Sequence, residues 1–88
     1  MNGKEQIAVK LRLTVKSYNL LIEEFPRAEL FIQKEKDNHY IFETEVSSLY
    51  GIGRFVLGLP ADIEIIKPQI LKNYVIEEMQ KGIKEFEK

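Results

Sequence analysis

Ile7, Val9, Leu11 and Leu13 alternate with Ala8, Lys10, Arg12 and Thr14. A period of two belongs to a strand, because successive side chains leave opposite faces of the pleat. The spacing predicts a strand over residues 6–14 with one covered and one wetter face. It then changes: Val15, Tyr18, Leu21 or Ile22, and Phe25 recur at helical intervals, and Thr14 and Ser17 can both cap the helix start. Pro26 stops that helix, since it cannot continue the hydrogen-bond ladder and it drives Phe25 out of the α region. A chain that changes period in this way must bury a sheet face against a helix stripe, which points to a layered α+β domain.

The same switch recurs downstream. Ala28, Leu30 and Ile32 alternate, Lys34-Glu35-Lys36-Asp37-Asn38 supplies turn chemistry, and Tyr40, Phe42, Thr44 and Val46 resume the period of two, as in a hairpin. Ser47 and Ser48 are natural N-caps for a helix over about residues 48–58, whose stripe is Leu49, Ile52, Val56 and Leu59. Asp62–Ile66 reads as a short strand with Ile63 and Ile65 on one face, and Pro68 suits the first turn of a final helix. Leu71, Val75, Met79, Ile83 and Phe86 mark the apolar face of that helix. Each of Gly51, Gly53 and Gly58 costs a helix about 1 kcal/mol relative to alanine. They are expected where a helix packs closely on the sheet or ends at Gly58, not as a phosphate loop, because Gly51-Ile52-Gly53-Arg54 opens no new helix and carries no Lys-Ser or Lys-Thr pair. Sequential pairing and right-handed crossovers fold this order most simply as a ferredoxin-like βαββαβ sandwich with an additional C-terminal helix. The third helix must cover an edge, extend the helical layer or dock on something outside the chain.

Eighty-eight residues suffice for one core, and residues 1–88 are expected to form a single domain. The formal charge of −1, from thirteen basic and fourteen acidic side chains, gives no field to draw nucleic acid. With no cysteine there are no disulfides, thiol nucleophiles or thiolate metal sites, and a reducing, cytoplasmic setting is favoured. Phe55–Ala61, the longest uncharged stretch, falls far short of a membrane span, and Met1-Asn2-Gly3-Lys4-Glu5 leads into no signal-peptide core.

Catalytic chemistry is not expected. The single histidine, His39, lies in the polar hairpin with no nucleophile in view, and scattered carboxylates give no metal-ligand spacing. Glu23-Glu24, Glu43 with Glu45, and Glu77-Glu78 read as solvated acidic pairs. Tyr40 and Phe42 have the spacing of base-stacking strand aromatics, but Asn38-His39-Tyr40-Ile41-Phe42-Glu43 lacks the basic and glycine positions of the RNA-binding motif, so core packing is expected for both. The opposite sheet face would carry Ala8, Lys10, Arg12, Phe31, Ile41 and Ile66, an apolar group beside two cations. Such a face invites covering, and Phe31, Ile41 and Ile66 are the expected interface with another domain or subunit.

From Val9 to Phe86 the chain resembles the C-terminal extension, or WCX domain, of bacterial WYL-domain transcriptional regulators. The resemblance is carried by Val46-Ser47-Ser48-Leu49-Tyr50-Gly51-Ile52-Gly53-Arg54-Phe55-Val56-Leu57-Gly58-Leu59, then Ala61-Asp62-Ile63-Glu64-Ile65-Ile66-Lys67-Pro68 and Leu71. Arg54, Asp62, Glu64, Pro68 and Leu71 occupy the family's positions, and Val9-Lys10-Leu11-Arg12 fits its opening strand; Pro60 stands where many relatives have glycine. The resemblance implies a ferredoxin-like C-terminal regulatory module beside WYL and helix-turn-helix domains of a parent chain that makes the DNA contacts, contributing to dimer contacts or to transmission of the signal. A homo-dimer is expected, and the residues themselves call for no cofactor or metal. Arg54, Arg12 and Lys10 are then the candidates for touching a partner domain or an anionic effector. The rival reading is a stand-alone small-ligand sensor of ferredoxin-like fold, although Thr14-Val15-Lys16-Ser17 lacks the glycine-bearing loop such sensors show after the first strand. An acylphosphatase-like hydrolase would need an arginine in that same loop, where there is none.

Overall fold

Alternation at the start of the chain becomes strand β1, Ile7–Leu13, whose Val9, Leu11 and Leu13 are fully buried while Ala8, Lys10 and Arg12 face the other way. The computed structural model describes residues 6–87, so the opening Met1–Glu5, considered above for a signal peptide, lies outside the described residues. Helix α1 spans Val15–Glu24, strand β2 Ile32–Lys34, β3 Tyr40–Val46, helix α2 Tyr50–Gly58, β4 Ile63–Lys67 and helix α3 Gln69–Phe86. The strands form one antiparallel sheet in the order β2-β3-β1-β4. The fold is therefore α+β, a four-stranded antiparallel sheet with three α-helices.

One cluster holds the layers together. Val9, Leu11, Leu13, Phe42 and Ile63 from the sheet meet Leu21 of α1, Phe55 and Val56 of α2, and Leu71 and Val75 of α3. All three helices thus lie on one sheet face, and the shortest molecular dimension, 22 Å, has room for two layers only. Gly53 is the glycine that close packing demands, because a β-carbon there would collide with the ring of Tyr74 on α3. Tyr40 and Phe42 pack as expected: Phe42 is buried, and Tyr40 stacks on Tyr18 with ring centroids 3.8 Å apart and planes 5° from parallel.

The start of α1 is fastened to the loop before β4. Ser17 Oγ accepts from the Thr14 backbone N–H (2.9 Å), and Thr14 Oγ1 accepts from the Ser17 N–H (3.2 Å), closing a reciprocal capping box. Ser17 Oγ, wholly buried, also donates to the Asp62 carbonyl at 2.9 Å. Both expected caps act here, and the second one also carries a tertiary contact.

Three local expectations are corrected. The alternation of Ala28, Leu30 and Ile32 does not make a strand: Pro26–Phe31 is a 3₁₀ helix, and β2 begins only at Ile32. Pro26 opens that turn, Ala28 N–H donates to the Phe25 carbonyl (2.9 Å), and the spacing that matters is three, burying Ala28 and leaving Leu30 81% exposed. Helix α2 starts at Tyr50, with Leu49 and not a serine at its N-cap; Ser48 Oγ accepts the Tyr50 N–H from one residue further out (3.2 Å). Pro68 stands at the N-cap of α3, one place before the first turn. The apolar stripe of α3 is covered only in its first half, through Leu71 and Val75; Met79, Ile83 and Phe86 are exposed. The reason is length. Eighteen residues make a helix about 27 Å long, whereas five-residue β4 beneath it runs about 17 Å.

Candidate interaction surfaces

The sheet face away from the helices is built around Arg12. Its position on central β1 brings it opposite Ile41 on β3 and Glu64 on β4. Arg12 Nε donates to Glu35 Oε1 at 3.0 Å and Nη1 to Glu64 Oε1 at 2.9 Å. Glu35 comes from the β2–β3 turn, where Asp37 and Asn38 both take positive φ, and its backbone N–H donates to the His39 carbonyl at 2.7 Å. Left-handed backbone is least costly for Asn and Asp among residues with a β-carbon, so the turn sequence itself aims Glu35 inward. The hydrogen bond and charge of Glu35, then the charge of Glu64, raise the Arg12 pKa above the ordinary arginine value, and the guanidinium stays a cation at every working pH. Lys67 Nζ lies 3.9 Å from Glu43 Oε2 on the same face. Glu35 and Glu64 already hold Nε and Nη1, so an incoming carboxylate or phosphate at Arg12 competes with two carboxylates.

The expected apolar members of this face are dispersed. Ile41 is half-buried beside Arg12, and Phe31, half-exposed at the end of the 3₁₀ turn, shares a shallow depression with Leu30, Gln33, Ile41 and Glu43. Ile66 lies beyond β1 on the other edge strand. There Leu11 pairs with Ile65 and Lys10 with Lys67, so Ile66 is the unpaired residue of a bulge, which leaves it exposed. Lys10 faces Glu43 across the β1–β3 pair. The structure therefore brings Lys10, Arg12 and Ile41 together, with Phe31 and Ile66 at the two margins.

Arg54 belongs to a different surface. Phe55 and Val56 anchor α2 to the covered face, and Arg54 projects outward, donating to Tyr50 Oη at 3.3 Å, its guanidinium carbon 5.6 Å from the Tyr50 ring centroid. It borders an open cleft of about 740 Å³ between α1 and α2 whose rim also carries Glu23, Glu24, Phe25 and Tyr50. The sheet separates Arg54 from Arg12, so one small ligand cannot touch both. A second groove, about 430 Å³ and mainly apolar, runs between the 3₁₀ turn and β3, lined among others by Phe25, Ala28, Phe31, Phe42, Val46 and Ile52. It exists because β2 pairs only with Tyr40–Phe42, leaving Glu43–Val46 without a strand on that side.

Among the described residues no group of three metal-ligating side chains comes together, and no helix is long and apolar enough to cross a membrane. His39 is half-exposed just after the hairpin turn. With this geometry in place, comparison with protein families is decisive: the family model of the WCX domain matches residues 5–83. The chain belongs to the WCX family. No curated protein matches its sequence. The match takes in the whole sheet of this WCX domain, the Arg12 cluster, Arg54 on α2 and all but the last residues of α3.

Sequence reasoning found Arg12 but not its clamps, since Glu35 and Glu64 stand 23 and 52 positions away and meet it only through strand register. Tyr50 as the partner of Arg54 was detectable, because residues four apart on a helix are neighbours. The exposed half of α3 was visible as a stripe, but not as a stripe without a cover.

Proposed function

We propose that this WCX domain is the non-catalytic C-terminal regulatory module of a WYL-type DNA-binding transcriptional regulator, supporting ligand-dependent control of transcription, with DNA contacts made by other domains of the parent chain. Membership of the WCX family carries the reading, because that domain is the C-terminal extension of such regulators. The balanced charge agrees with a module that leaves DNA to its neighbours. The finer description of the fold as ferredoxin-like with an added helix is supported by the strand order and by two split β-α-β crossovers, β1-α1-β2 and β3-α2-β4, on one face.

Within this reading the Lys10–Arg12–Ile41 face, margined by Phe31 and Ile66, meets the WYL domain, and Arg54 is the cation on the second surface. An ion cluster already matched by Glu35 and Glu64 suits a protein neighbour, which can insert apolar groups beside it without disturbing the pairs. The setting is cytoplasmic. The test is a reporter assay in the full regulator with Arg54→Ala and Ile41→Glu. Loss of effector response with operator binding retained is the expected result; an unchanged response and unchanged dimerisation for Arg54→Ala removes the functional claim for that residue.

A further inference from the structure

The sheet ends at β4, and the outer edge of that strand is open. The Thr14 N–H donates to the Asp62 carbonyl at 3.2 Å, so Thr14 and Asp62 face each other as a hydrogen-bonded pair, and Arg12 with Glu64 is the next such pair in register. Ile63 and Ile65 alternate with these and turn their N–H and C=O groups away from β1, to a side where no described strand lies. Their side chains face the helix layer and, with Val75, Ile76 and Met79 of α3, line a groove of about 340 Å³. Ile76 and Met79 remain 51% and 36% exposed there. Sheet edges are commonly guarded by shortness, lysine, proline or a bulge. The opposite edge strand, β2, has three residues and carries Lys34. On β4 the guards all stand at one end: the Ile66 bulge, Lys67, and Pro68 with no N–H to offer. Between Ile63 and Ile65, beside the groove, none is present.

We propose that the outer edge of β4 takes an extended segment of a partner protein as an added antiparallel strand, with apolar side chains entering the groove beside Ile76 and Met79 and a basic side chain between them meeting Glu64. A polypeptide strand is the ligand whose donors and acceptors repeat at the interval of Ile63 and Ile65. Antiparallel pairing continues the rest of the sheet and puts the residues opposite Ile63 and Ile65 on the helix side, where the groove selects apolar groups. The residue between them lies on the open side, next to Glu64. There Glu64 Oε1 holds Arg12, Oε2 has no partner among the described residues, and the side chain is 62% exposed, so a lysine or arginine completes the carboxylate. Lys72 borders the groove from α3 and repels a cation on the helix side, which confines the basic position to the Glu64 side.

Nuclear magnetic resonance of the 88-residue chain, titrated with a capped pentapeptide of alternating lysine and valine beginning with lysine, tests this directly. In the free chain the Ile63 and Ile65 amides are expected to exchange faster than that of Glu64, which is bonded to β1. The peptide slows both at least tenfold and shifts the signals of Ile76 and Met79. N-methylation of its valines keeps the side chains, removes the donors facing β4 and weakens binding at least tenfold; exchanging its lysines for glutamate does the same. Glu64→Lys and Met79→Asn each weaken binding several-fold, and Ile83→Asn, outside the groove, leaves it unchanged. Slow exchange of Ile63 and Ile65 in the free chain overturns the open edge. Absence of added protection there at millimolar peptide, or equal binding of the N-methylated peptide, overturns the added strand. None of these outcomes touches the regulatory reading, which stands or falls separately on the reporter response.

Discussion

The first half of α3 and its second half share one apolar stripe but differ in what lies beneath them. Leu71 and Val75 sit over Ile63 and Val56 and are buried, whereas Ile83 and Phe86, two turns on, have no sheet below them. The repeating pattern says only which face of a helix is apolar; the length of the strand underneath decides how much of that face the fold can use. What the fold leaves over is available to a partner.

The comparison can be broken most sharply at Leu71. Leu71→Ala empties a fully buried site and is expected to cost about 2–5 kcal/mol in denaturant unfolding. Ile83→Ala, measured where the chain is monomeric, should stay within about 0.5 kcal/mol of wild type, as exposed positions do. Equal losses at the two sites would mean that the second half is also packed within its own chain. Ser17→Ala comes next: it removes the α1 cap and the bond to the Asp62 carbonyl together, and an expected cost of about 1–2 kcal/mol sharpens the contrast between a helix end tied into the core and one that is not. Arg12→Ala should have the smallest effect, with the unfolding midpoint almost unmoved and what change there is fading in high salt, because both of its ion pairs face solvent. A large, salt-independent loss there would show that the open face is structural and not a surface held ready for a neighbour.

Much of this was legible in the sequence, and the rest was hidden for identifiable reasons. Strand β1, helix α1 and the β3 aromatics followed from period alone, since nothing competes with a clean alternation over seven residues. The 3₁₀ turn was missed because Ala28, Leu30 and Ile32 alternate while Phe25, Ala28 and Phe31 recur every three residues, and so short a segment satisfies both patterns. The cap of α2 was misplaced because serine side chains reach the helix from more than one position, and Ser48 does so from outside the N-cap. Arg12 and Arg54 were both recognisable as cations at telling places, yet their separation by the sheet, and the carboxylates that hold Arg12, come from pairings across the chain that no local pattern records. The candidate residues were legible one by one, but not their placement on two separate surfaces.

Amide hydrogen exchange along α3 is the most direct test of the division of this helix. The account predicts slow exchange through Val75 and fast exchange from about Met79 onward in the isolated chain. Uniform slow exchange over the whole helix would contradict it.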